Sequence, residues 1–112
     1  MYIGVGDTST LNTNAIFIMP GVTSLSVLRK RIAGTESVLY ITTTTTTKIA
    51  VKWNGTSCDV FANGTKVVSA SPFTTTNMEW FAGNATAVPM FIQQMALFPT
   101  PLSDTDCATL TT

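Results

Sequence analysis

The chain has 112 residues, enough for one domain with a single core and too few for two. Six Lys/Arg cancel six Asp/Glu, so no field gathers nucleic acid or an anionic membrane, and the absence of histidine removes the commonest general base and metal ligand. Cys58 and Cys107 form no CxxC motif, no apolar run reaches the ~18 residues of a membrane span, and no basic-then-apolar leader opens the chain.

Threonine supplies 22 of the residues, which is a β composition. Charge is sparse, so the strands are expected to be paired, closed or covered by a partner. In chain order, YIGVGD (2–7) reads as a first strand and DTSTLNTN (7–14) as a polar turn. AIFIMP (15–20) is a short apolar strand ended by Pro20-Gly21. SLSVLRKRIA (24–33) is a strand punctuated by Gly34-Thr35. ESVLYITTTTTT (36–47) is a strand with Val38 and Tyr40 on one face and Leu39 and Ile41 on the other. Its threonine run, Thr42–Thr47, is expected to be an extended edge segment or loop.

The most regular stretch is KIAVKW, Asn54-Gly55, SCDVFA, Asn63-Gly64, TKVVSA, over residues 48–70. Asn-Gly supplies the positive φ angles of a two-residue hairpin turn, so two such pairs between alternating apolar runs predict a three-stranded meander. NMEWFAG (77–83) is a further strand. VPMFIQQMALFP (88–99) is expected to be a long one with both faces apolar: Phe91, Met95 and Leu97 on one, Ile92, Ala96 and Phe98 on the other. Both faces should then be covered, by a second sheet or a neighbouring chain. Pro99 and Pro101 stop that strand, Ser103 is a good N-cap, and Asp104 and Asp106 suit the first turn of a helix. That helix, over 104–110, is expected to turn Leu102, Cys107 and Leu110 toward the sandwich.

The ordered set K-I-A-V-K-W, D-V-F-A-N-G-T-K-V, M-E-W-F-A-G and L-F-P-T-P-L-S-D-T-D-C-A-T-L-T resembles the concanavalin A-like (laminin-G-like) jelly-roll domains of tailed-bacteriophage tail fibres and other virion proteins. The likeness covers residues 47–112 by motif and the first half by strand pattern alone. Asp106 stands where the family usually carries glutamate. Such domains usually have one or more strands before the segment matching YIGVGD, so the sandwich is expected to be trimmed or completed by another chain. The resemblance implies an all-β, antiparallel jelly-roll sandwich with a short C-terminal helix, as a single domain over 1–112. It also implies a non-enzymatic structural or adhesive virion component, in the tail fibre or tail tip, assembled in the bacterial host cytoplasm. Its implied partners are copies of itself, a trimer favoured, or another virion protein, and a host-surface glycan. A carbohydrate-binding module of a secreted bacterial protein and a capsid decoration protein are the competing readings.

Glycan binding in such folds uses aromatic stacking and Asn/Asp hydrogen bonds, which makes Trp53, Asp59, Trp80, Asn84 and Tyr40 the candidate ligand residues. A strand tryptophan is more often core or interface, so Trp53 and Trp80 carry that simpler reading as well. Asp7, Asp59, Asp104 and Asp106 are too scattered to predict the clustered oxygens that calcium needs. Glu36 and Glu79 are the only glutamates, and neither sits in a pattern suggesting the paired carboxylates of a glycosidase. No catalytic residue, metal or cofactor is expected. Arg29-Lys30-Arg31, the one charge cluster, reads as a solvated strand face, with an acidic host polysaccharide as the functional alternative. Whether Cys58 meets Cys107 is open at this level.

Overall fold

A computed structural model describes residues 2–7, 13–20, 26–42, 47–74, 79–83 and 92–112. Among these residues the chain forms two antiparallel sheets and one short helix, an all-β sandwich. β1 (Tyr2–Gly6), β2 (Ala15–Pro20), β3 (Ser26–Ile32) and β4 (Thr35–Ile41) follow one another as a meander. The chain then crosses to a second meander of β5 (Ile49–Trp53), β6 (Ser57–Ala62) and β7 (Thr65–Pro72). It returns as β8 (Glu79–Gly83), which pairs with β1 and completes a five-stranded sheet of order β4-β3-β2-β1-β8 facing the three-stranded β5-β6-β7. No helix among the described residues is long and apolar enough to cross a membrane.

Residues 8–12, the Pro20-Gly21 turn beyond Pro20, Thr43–Thr46, Asn77, Met78 and 84–91 lie outside the described residues.

Strand alternation decides the core. Ile16 and Leu28 of the large sheet meet Cys58 and Val60 of β6, and Phe73 closes the group. Val5, Ile18, Leu39, Tyr40, Ile49, Trp53 and Val68 pack around it. Lys30 also points inward, because it registers with Ile16. Its ammonium is satisfied by Ser71 Oγ at 2.6 Å and the Pro72 carbonyl at 2.7 Å, so it ties the two sheets together.

Turn chemistry follows the sequence in part. Asn63 and Gly64 both have positive φ, 48° and 86°, as a two-residue hairpin requires. Asn54 does not: β5 and β6 are joined through Asn54, Gly55 and Thr56, and Asn54 Oδ1 accepts from the backbone N–H of Thr56 and Ser57 at 3.0 and 2.9 Å. The side chain there does the work of a backbone turn. A second two-residue turn, Ala33-Gly34, joins β3 to β4 with φ values of 50° and 82°.

Three further expectations are corrected. The face assignment in β4 fails because a bulge at Leu28/Arg29 makes Tyr40 register with Leu28 and Val38 with Arg29. Leu39 and Tyr40 both reach the core, and Val38 and Ile41 are exposed. Within the expected strand 88–99, residues 92–98 form no strand, and Ile92, Met95, Leu97 and Phe98 are exposed. The helix α1 (Asp104–Leu110) forms as expected, with Ser103 Oγ accepting from Asp106 N at 3.1 Å, but Leu110 is exposed and Cys107 alone within the helix is buried. The reason is placement: α1 lies on the outer face of β5 and β6, so only one side of two short turns is covered.

Gly4 sits where β1 passes close to β2. A Cβ there would collide with the Ile16 carbonyl oxygen and lie 2.6 Å from Phe17 Cα and Cβ, none of which can swing aside. Gly4→Ala is expected to cost about 1–3 kcal/mol, seen as a lowered urea midpoint at unchanged m-value.

Candidate functional site

The register of the small sheet divides its side chains between two environments. Ile49, Val51 and Trp53 share a face with Ala62, Val60 and Cys58, toward the large sheet. Ala50, Lys52, Asp59, Phe61 and Lys66 lie on the opposite face, under α1. Phe61 is only 2% exposed although it points away from the sandwich core. β6 therefore buries an apolar side chain on each of its sides, Phe61 standing beside Asp59 on the outer one, and the helix is the cover of that second side.

The helix is held by charge as well as by Cys107. Asp104 receives the Lys52 ammonium at 2.8 Å on Oδ1 and the Lys66 ammonium at 2.7 Å on Oδ2. Lys66 also reaches Asp59 Oδ2 at 3.4 Å and stands 5.5 Å from the Phe61 ring centroid. Hydrogen bonds from the two lysines, Lys52 first, hold the Asp104 carboxyl down at about 2, and the same bonds raise both ammonium pKa values. The helix end is pinned separately: Gly64 N–H donates to Thr111 Oγ1 at 3.0 Å and Lys48 Nζ to the Thr112 carbonyl at 2.6 Å.

Asp59 has a second task. Its Oδ1 accepts from Ala70 N at 2.7 Å, where β7 bulges and Ala70 takes a φ of 51°. The carboxylate binds a backbone N–H released from the ladder by that bulge. Trp53 is half-buried against the core, and its indole Nε1 donates to the Phe73 carbonyl at 3.1 Å. Tyr40 is half-buried on β4, in the other sheet. Trp80 pairs with Val5 through β8; its side chain and Asn84 lie outside the described residues. Trp53 and Asp59 thus occupy opposite faces of one sheet and Tyr40 belongs to the other, so these three do not converge on one ligand.

On the outer face of the large sheet, Glu36 bridges Arg31 and Arg29, the latter at 3.4 Å. The Arg31 hydrogen bond, with both guanidinium charges, keeps the Glu36 carboxyl below its usual range. Arg31 lies 5.4 Å from the Phe17 ring centroid. Strand alternation turns Lys30 inward from between the two arginines, so the sequence cluster is split between two faces.

Cys58 lies on the inner face of the small sheet and Cys107 on the helix over its outer face; both are free and buried. A bridge between them would have to cross the sheet. Burial raises both thiol pKa values, which suppresses the reactive thiolate. Among the described residues no three His, Cys, Asp or Glu side chains gather as a metal site.

Sequence reading missed the Lys52–Asp104–Lys66 group because its members lie on three separate elements. Two signals were present: lysines on the face of KIAVKW and TKVVSA opposite the apolar one, and an acid at the first position of the helix. Comparison with known proteins finds no family model, no curated protein and no solved structure that matches this chain.

Asp104 has a lowered folded-state pKa, so its contribution to stability is present above the ordinary carboxylate range and is lost as pH falls toward about 2. Asp104→Asn is expected to lower the denaturation midpoint at neutral pH. The gap from the native chain should close between about pH 4 and pH 2. Urea midpoints of both proteins across that range test it; a gap independent of pH would assign the effect to packing.

Proposed function

We propose that the chain is a non-enzymatic structural and adhesive component of a tailed-bacteriophage particle, in the tail fibre or tail tip, working as a homo-oligomer that meets a host-surface glycan. The observation that carries this reading is the closing segment. An F-P-x-P-L-S-D stretch runs into a Ser103-capped helix laid on a β-sandwich, and the residues just before it, 92–98, expose Ile92, Met95, Leu97 and Phe98. A chain with 11% charged residues that leaves such a segment uncovered is suited to assembly with other subunits.

The non-enzymatic part of the reading rests on the carboxylates. A general acid needs its pKa raised, whereas Glu36 and Asp104 have theirs lowered by cations in direct contact. Asp59 is committed to Ala70 N and Lys66.

The test is location on the particle. Antibodies against the purified chain should label the tail of intact phage particles by electron microscopy, and the chain should retain host-derived glycan on an array. Labelling of the head would move the chain to the capsid decoration class. Sugar binding with no particle labelled would make it a carbohydrate-binding module.

A further inference from the structure

The two sheets are unequal, five strands facing three. β7 lies against β4, and Lys30 of β3 reaches Ser71 and Pro72 of β7, which sets the small sheet beneath β4, β3 and β2. Val5 of β1 packs at the margin of the core, and Ile3 and Val5 are both only half-buried. Among the described residues β5 is an edge of the small sheet, with β6 as its one neighbour. The hydrogen bonds Asn54 N–H to Ser57 O at 3.2 Å and Asn63 N–H to Lys48 O at 3.0 Å fix the ladder phase. Residues 50 and 52 direct their backbone groups to β6, and Ile49, Val51 and Trp53 direct theirs outward. Val51 is 37% exposed although it shares a face with the fully buried Val60.

Natural edges are commonly protected by lysine. Here the lysines that flank and enter β5 are engaged within the chain: Lys48 by the Thr112 carbonyl and Lys52 by Asp104. The same chain carries a segment that belongs to neither sheet. Residues 92–98, IQQMALF, hold no charge, form neither helix nor strand, and expose four large apolar side chains. Five residues, 99–103, separate this segment from α1, which rests on β5 and β6.

We propose that the outward edge of β5 is a strand-acceptor site for segment 92–98 of a second copy of this chain. Each copy offers one edge and one segment, so exchange satisfies both and adds a fourth strand to the small sheet. The added strand covers Val51 and buries part of the Ile92, Met95, Leu97 and Phe98 surface. The main-chain hydrogen bonds supply affinity, and the apolar side chains supply register. This interface rests on the homo-oligomer reading above and names where the copies meet.

The experiment is light scattering of the purified chain over micromolar concentrations, with amide hydrogen exchange read at Ile49, Val51 and Trp53. An oligomer is expected, with those three amides protected in it and losing protection on dilution. Val51→Pro removes an outward N–H and leaves the β5–β6 bonds in place, so it should weaken association by about tenfold or more with unchanged far-UV dichroism. Leu97→Asp alters the donor segment alone and should do the same, which keeps the test decisive where the proline variant misfolds. A monomer at every concentration overturns the proposal. So does protection of the three amides that persists on dilution, because the segment would then pair within its own chain. Association untouched by Leu97→Asp also overturns it, while leaving the oligomeric virion reading intact and moving the contact elsewhere.

Discussion

Burial of both faces of β6 is the constraint on which the rest of the molecule depends. Cys58 and Val60 point into the sandwich and are 1% and 0% exposed, and Phe61, between the strands on either side, points out of it and is 2% exposed. A phenylalanine buried to that degree is worth about 2 kcal/mol, and leaving it to water would forfeit that in a domain with little to spare. The C-terminal helix exists to cover it. Seven residues make a helix too short to persist alone, so α1 is stable only because tertiary contacts hold it.

The attachment of that helix explains the layout of charge. Asp104 sits in the first turn, where a carboxylate suits the helix dipole, and the same side chain accepts from lysines on two strands. Exposed ion pairs are individually weak, but these share one carboxylate at the start of the segment they hold. Thr111 and Thr112 fix the other end through Gly64 and Lys48. The small sheet and the helix therefore form one unit, joined to the large sheet by the apolar core and by Lys30.

That division leaves a molecule with one well-covered flank and one open one. Around β4 and β7 the sheets meet and Lys30 ties them. At β5 the small sheet ends, among the described residues, in an edge whose one neighbour is β6, and elsewhere in the chain residues 92–98 are exposed. The sugar-binding candidates do not fill the open flank as a group, since Trp53 is committed to Phe73 and Asp59 to the β7 bulge. The β5 edge presents outward backbone groups, and no constellation of the candidate polar side chains gathers beside it.

How much was legible in advance varies with the range of the forces involved. The strands of the central meander and the helix with its Ser103 cap were readable because alternation and capping act within a few residues. The Asn63-Gly64 turn was readable for the same reason. Asn54-Gly55 was not, because the Asn54 side chain captured two backbone donors and made a different turn from the same dipeptide. The faces of β4 were misread because a bulge in the pairing with β3 breaks alternation without any mark in the β4 sequence. Of the five ligand candidates, the sequence could nominate residue types but not faces. By itself the sequence determined an all-β chain, its Asn63-Gly64 turn and its capped final helix, since these follow from short-range sterics and periodicity. Tertiary structure alone decided that the helix lies outside the small sheet, that Asp104 gathers two distant lysines, and that residues 92–98 remain uncovered. Each of those depends on which surfaces meet, and that is settled by packing between residues far apart in the chain.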